Sequence, residues 1–534
     1  MGNDGRAPAA GQHVSRADND RADLAAWISV LAGMIGAFIA ILNIQITNAS
    51  LLDIEGGIGT GVDNGAWIST SYLIGEIVVI PLTNYLSQVF SFRRYLLFNV
   101  ALFPVFSIGC AFTHDLSSMI AMRGLQGFAG GVLIPMALTM TLTRLPKPQQ
   151  PFGLALFALS ATLAPAIGPT IGGYLTESYG WQVIFFVNAP PSIIMFVALA
   201  MTLERTPPRL ALLKDGDWAG IATMAVGLAA LQTVLEEGNK DDWFASPLIL
   251  RLAIIATIAL SAFIVIELTV DKPLVNLQLF RQRNFATGVL ANVFVGFALY
   301  GSVYVLPQYL GQVQRYNAEQ IGEVLAWTGL PQLILIPLVP LLMKRFGPKQ
   351  VGIVGTCIFA GSCFMNMTLS PDTAADQLLF PNIVRAVGQA MVLTPITAIT
   401  MAGIASNDTG TASGLSNMLR NLGGAVGTAL LATILTKREQ YHSNIIGQSI
   451  TLFRDEVRDR LSALTAHFLS LGETDLVAAH HKAVIELGRI VRRQALLMGF
   501  GDTFAVIGVV LILAAVCLLF VRDTRGAGKP TSGH

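Results

Sequence analysis

From about residue 25 onward the chain is a succession of apolar runs, each about as long as a bilayer is thick, joined mostly by short polar stretches. A hydrocarbon core of about 30 Å takes roughly 20 apolar residues of helix to cross. Runs of that length fall near 25–48, 64–86, 94–113, 116–142, 152–175, 182–203, 217–236, 248–270, 286–307, 319–342, 350–369, 381–403, 411–436 and 497–521, fourteen in all. Composition agrees, with 53% of residues hydrophobic and 13% charged, against about 25% charged in an ordinary soluble chain. The expected fold class is an all-α polytopic membrane protein. A formal charge of +1 excludes a broadly basic surface, so no nucleic acid partner is expected. Cys110, Cys357, Cys363 and Cys517 all lie in apolar runs, which indicates neither a disulfide framework nor a metal site. The start through Asp23 is polar with mixed charge, and the next apolar run is too long for a signal-peptide core, so no cleavable signal is expected.

An even number of crossings returns the chain to its starting side. The joints on that side carry Arg93, Arg94, Arg144, Lys147, Arg205, Arg209, Lys214, Lys272, Arg281, Arg283, Lys344, Arg345 and Lys349, whereas the short joints opposite offer little beyond Lys240 and Arg315. By the positive-inside rule both termini are expected in the cytoplasm. The fourth run reads RGLQGFAGGVLIP from Arg123 and the twelfth RAVGQAMVLTP from Arg385; SFRR after the second run has a counterpart in KRFGPK after the tenth. Weak internal symmetry of this kind marks transporter folds built from repeats. The expected organisation is a tail at 1–24, a six-helix half at 25–205, two inserted helices at 206–275, a second six-helix half at 276–521 with an outer helical hairpin at 437–496, and a tail at 522–534.

The run LAPAIGPTIGGYL, Leu163 to Leu175, sets Pro165 and Pro169 beside Gly168, Gly172 and Gly173. The prolines remove backbone donors and bend a helix, while Gly168 and Gly172 form a small-xxx-small face for a close neighbour. APAIGPTIGG is similar to the antiporter motif of the fifth span in the major facilitator superfamily, and Arg123 with Gln126 and Gly127 matches that family's fourth-span motif. PLVNLQLFRQRNFA from Pro273 and GTASGLSNMLRNLGGAVGTAL from Gly410 resemble the joint after span eight and span thirteen of its fourteen-span drug:proton antiporter branch, the EmrB/QacA type. The resemblance covers nearly the whole chain. It implies the major facilitator fold, alternating access, proton-driven export of hydrophobic or amphiphilic compounds across the bacterial inner membrane, and a central cavity lined mainly by spans one, four, nine and twelve. It also implies a periplasmic adaptor (membrane fusion protein) and an outer-membrane channel as partners. Two departures stand out. NYLSQVFSFRR, after span two, has Asn84 for the family's glycine and Gln88 near its expected aspartate, and Asn43 occupies a span-one position where relatives often carry an acid.

Those departures direct attention to Glu76, midway along span two in TSYLIGEIVVIPL. A charged group at the bilayer centre costs roughly 2.5–3.5 kcal/mol on insertion scales, so such a residue faces a cavity or a partner. Two readings stand: the main proton-coupling carboxylate, or a protonated acid bonded to a neighbouring helix. Arg123, about 10 Å inside its span at 1.5 Å per residue, joins it by resemblance in proton relay, with Arg420 a further candidate and a structural bond to backbone carbonyls the alternative. Candidate cavity residues are Asn43, Gln45, Asn48, Asn292, Tyr300, Tyr304, Trp327 and Arg385, because promiscuous amphiphile sites are apolar and aromatic with a few polar fixtures. Deep arginines outnumber deep carboxylates, which argues against strict selection for cations.

In the long segment after the thirteenth run, Phe453, Val457, Leu461, Leu464 and Phe468 fall at helical spacing, an amphipathic helix. It either caps the outer face as a hairpin or docks the adaptor. No catalytic or nucleotide-binding motif is present, so neither an enzyme nor an ATP-driven pump is expected, and no cofactor. The alternatives are a dedicated exporter of a fatty acid, siderophore or other metabolite, and a non-transporting membrane receptor of the same fold.

Overall fold

The computed structural model describes residues 22–214, 216–270, 273–405 and 408–522, and these are helical throughout with no strand among them. Most of the two expected tails lies outside the described residues. Among the described residues fourteen helices are long and apolar enough to cross a bilayer: Leu24–Ala49, Asn64–Phe90, Phe92–Ala111, Leu116–Arg144, Gln150–Tyr179, Val183–Thr202, Trp218–Glu237, Pro247–Thr269, Arg283–Gln312, Glu319–Phe346, Pro348–Thr368, Ala375–Met401, Thr409–Ser449 and Leu476–Leu519. We refer to them as spans one to fourteen.

Close packing of spans rests on small residues, as expected where lipid tails are as apolar as the side chains and van der Waals fit decides association. A Cβ on Gly75 or Gly127 would collide with the backbone of Gly124 or Tyr72, so spans two and four meet backbone to backbone. Gly296 and Gly423 bring spans nine and thirteen together in the same way, against Arg420 and Val293. Gly168 and Gly172 face span one, where added Cβ atoms would lie 2.5 Å from the Gln45 Cβ and 2.9 Å from the Ile46 carbonyl oxygen. On another side of that run, Ala166 lies against Gly329 of span ten. Despite Pro165 and Pro169, span five is one continuous helix.

The internal echo has a backbone form. Ser91, between spans two and three, and Gly347, between spans ten and eleven, each join two helices as a single non-helical residue, at φ 78° and 90°. One apolar cluster draws on spans one to six around Tyr72, Phe103 and Phe185, and another on spans nine to fourteen around Tyr309, Phe359, Phe500 and Phe504. Span eight is the least buried of the fourteen, and spans four and twelve are among the most buried.

The largest difference from the sequence reading lies in the last two spans. They run for 41 and 44 residues, about 60 Å or more at 1.5 Å per residue, twice the thickness of a hydrocarbon core. Hydropathy locates where a helix leaves the apolar layer, not where the helix ends, and nothing between Thr436 and Ser449 breaks it. Arg438 and His442, just past the thirteenth apolar run, meet Asp502 near the start of the fourteenth: Asp502 ties the two spans together by accepting from Arg438 Nε at 2.6 Å and pairing with His442 Nε2 at 2.8 Å. A separate helix, Asp455–Ser470, folds back on span fourteen.

Candidate functional site

A cavity of about 540 Å³ opens in the half of the molecule farthest from Leu24. Its walls are the late turns of spans one, five, seven and nine, the first half of span two, the start of span ten and the middle of span thirteen. Spans four and twelve, expected in the lining, supply none of its residues. Their helices are enclosed by neighbours, and on the near side span four belongs to the seal. There Asn84 Nδ2 donates to Thr411 Oγ1 at 2.7 Å and Ser413 Oγ to the Pro135 carbonyl at 3.3 Å, joining spans two and four to span thirteen.

Glu76 lines the cavity and is only 4% exposed. Its Oε1 accepts from Asn421 Nδ2 at 2.9 Å, Asn421 Oδ1 accepts from the Tyr300 hydroxyl at 3.3 Å, and Glu76 Oε2 has no partner. One carboxyl thus ties span two to spans thirteen and nine through a chain that a single proton could rearrange.

Arg123 is fully buried and does not pair with Glu76. Its Nη1 donates to Asn43 Oδ1 at 2.6 Å and Gln126 Oε1 at 2.7 Å, its Nε donates to the Ile68 carbonyl at 3.2 Å, and the Tyr72 ring lies 4.4 Å away. The amide of Asn43 thus serves as a neutral acceptor for the guanidinium. Arg420, also buried, lies 5.8 Å from the Phe157 ring and is next in the chain to Asn421, whose amide meets Glu76.

Of the residues proposed to meet substrate, Gln45, Asn48, Tyr300 and Tyr304 line the cavity, with Pro169 of the antiporter run. Four do not. Asn43 is held by Arg123, and Asn292 donates to the Ser416 carbonyl and hydroxyl at 3.2 and 3.1 Å. Arg385 is buried between spans nine and twelve, donating at 3.4 Å to the Ser302 carbonyl and Asn382 Oδ1. Trp327 is 47% exposed on span ten and lies outside the lining. Helical spacing places a residue on a face without saying what that face meets. Among the lining residues that the sequence reading did not single out are Asn421, Gln232 and Glu236. The last two stand on span seven, set aside as an insertion, and Glu236 sits at the end of its apolar run, where an acid reads as a boundary residue.

The amphipathic stripe proposed for adaptor docking is mostly spoken for. Leu461 is buried and Val457, Leu464 and Phe468 are half-buried where their helix packs on span fourteen; Phe468 shares a groove with Ile485 and Arg489. Phe453, ahead of the helix, is 96% exposed. The spacing identified a covered face, and the cover is the chain itself.

Residues 33–428 match the family model described as Major Facilitator Superfamily, across all the lining spans. The chain belongs to the Major Facilitator Superfamily. It is 32% identical to the colistin resistance protein EmrB of Acinetobacter baumannii over 93% of this chain and 96% of that protein. It is 28% identical to the multidrug export protein EmrB of Escherichia coli over 95% and 97%, and 30% identical to the fatty acid resistance protein FarB of Neisseria gonorrhoeae over 84% and 88%. In fold this superfamily member is similar to the proton:xylose symporter XylE, with a TM-score of 0.58 at 14% identity, covering 93% of this chain and 96% of that one. A chain of this family with fourteen apolar helices is a multi-pass membrane transporter and not an enzyme.

Proposed function

We propose that this transporter is a proton-driven exporter of hydrophobic or amphiphilic compounds, working by alternating access in the bacterial inner membrane with both termini in the cytoplasm. The observation that carries the reading is Glu76: a partnerless carboxylate oxygen, nine-tenths buried, in a cavity whose walls lie on the side away from Leu24. Relatives named for export and resistance support the direction of transport, and the Lys and Arg bias of the joints supports the orientation. In this state a proton entering from outside neutralises Glu76 and weakens the pull on the Asn421 amide, freeing span two from span thirteen. The cavity then closes outside and the Asn84–Thr411 seal opens inside. An amphiphile entering from the cytoplasm displaces the proton, and the cycle returns. Arg123 and Arg420 hold compensating charge near the carboxyl without binding it, so neither proton state is locked.

Glu76→Gln tests this. It keeps an amide partner for Asn421 but cannot release a proton, and it should abolish proton-driven uptake into everted vesicles while leaving the folded protein intact. Undiminished uptake would overturn the role of Glu76.

The far-side extension supports the finer proposal of a three-part pump. Spans thirteen and fourteen project beyond the apolar layer and carry a tip with exposed Phe453, Leu471, Leu476 and Val477. A periplasmic adaptor leading to an outer-membrane channel would dock there rather than on the covered stripe. A dedicated exporter of fatty acids is the lesser reading, because no lysine or arginine stands among the lining residues to hold a carboxylate.

A further inference from the structure

Glu236 and Glu237 are adjacent at the end of span seven, yet they face different surroundings. Glu237 is buried, accepts from the Thr70 hydroxyl at 2.8 Å and lies 3.5 Å from Lys240. Glu236 turns into the cavity, where the Gln232 amide donates to it at 3.0 Å and no cation pairs with it. The residue that follows it in the chain is another acid, Glu237. Glu76, by contrast, lies in the fields of Arg420 and Arg123. The two carboxyls of the lining therefore differ: one is balanced by buried arginines, the other is not.

The rest of the lining fits the same chemistry. Tyr300 and Tyr304, one turn apart on span nine, present rings to the cavity, and Gln45, Asn48 and Gln308 add amides. Aromatic faces attract organic cations, the more so where water is displaced. An unbalanced carboxylate at a cavity wall costs free energy that a bound cation returns.

We infer that Glu236 sets a preference of this cavity for organic cations, and that span seven, part of the pair that looks inserted between the halves, is a wall of the binding site. The inference rests on the reading of the cavity as the substrate site and reverses the sequence expectation drawn from the count of deep arginines. Those arginines are consumed by Asn43, Gln126, Ser302 and Asn382 or lie behind Glu76, and none lines the cavity.

The test is equilibrium binding to the full chain in lipid nanodiscs with two probes of similar shape, tetraphenylphosphonium and uncharged triphenylphosphine oxide. The native protein should bind the cation more tightly. Glu236→Gln should weaken tetraphenylphosphonium about tenfold and leave triphenylphosphine oxide unchanged, Glu236→Asp should keep most of the preference, and Glu237→Gln should keep all of it. An unchanged ratio in Glu236→Gln overturns the inference while the cavity reading stands. Equal loss of both probes overturns it too, because a merely structural acid would behave that way. If the native protein binds neither probe, the cavity reading itself fails and the inference with it.

Discussion

At the scale of residues, this transporter uses amides where charge would be the simpler choice. Asn43 takes the Arg123 guanidinium at 2.6 Å, and Asn421 holds Glu76. A neutral acceptor satisfies a buried donor without locking it, whereas a facing carboxylate would fix the arginine as an ion pair. Asn43→Leu should leave one guanidinium N–H without its acceptor and cost about 1–3 kcal/mol, read as a lower melting temperature in nanodiscs; an unchanged melting temperature would show that Gln126 and the Ile68 carbonyl suffice. Glu76 was legible in the sequence because apolar residues flank it on both sides, and a charge deep in an apolar run has few explanations. Asn421 was not, since one amide in a span is unremarkable until a residue some 345 positions away is seen to meet it. Glu236 was missed because hydropathy cannot distinguish an acid at a span's end facing headgroups from one facing a cavity.

At the scale of elements, glycine placement decides which helices touch. The Leu163 run was recognisable as a close-packing surface, but its two neighbours, span one on the Gly168 and Gly172 face and span ten at Ala166, are facts of packing. Gly172→Leu should force span one away from the Ile46 carbonyl, costing about 1–3 kcal/mol through overpacking and abolishing transport. Gly361→Ala, on span eleven with nothing within 4 Å of its new Cβ, should leave both melting temperature and transport at native values. Equal effects of the two would mean that the run matters for something other than contact. The hairpin helix shows the same limit. Its stripe of Val457, Leu461, Leu464 and Phe468 was readable as a buried face, and only the fold supplied span fourteen as its cover. Helix length was likewise out of reach, since polar residues continue a helix as readily as they end a membrane run.

At the scale of the whole molecule, the arrangement is a state: a cavity on the side away from Leu24, with the halves joined on the near side by the Asn84–Thr411 and Ser413–Pro135 hydrogen bonds. The extended helices set a platform over that open side. Replacing residues 450–475 by a short linker should preserve uptake into everted vesicles while removing resistance in intact cells and crosslinking to an adaptor; resistance that survives the deletion would refute docking there. The sequence by itself determined the class, the fourteen crossings and the family resemblance, because each is written in local runs of apolar residues and short motifs whose physics needs no distant partner. The tertiary structure alone decided which polar residues share a cavity, that span seven belongs to its wall, and which arginines are already engaged. Those are properties of pairs far apart in the chain, and a residue's chemistry inside a membrane depends on what stands across from it.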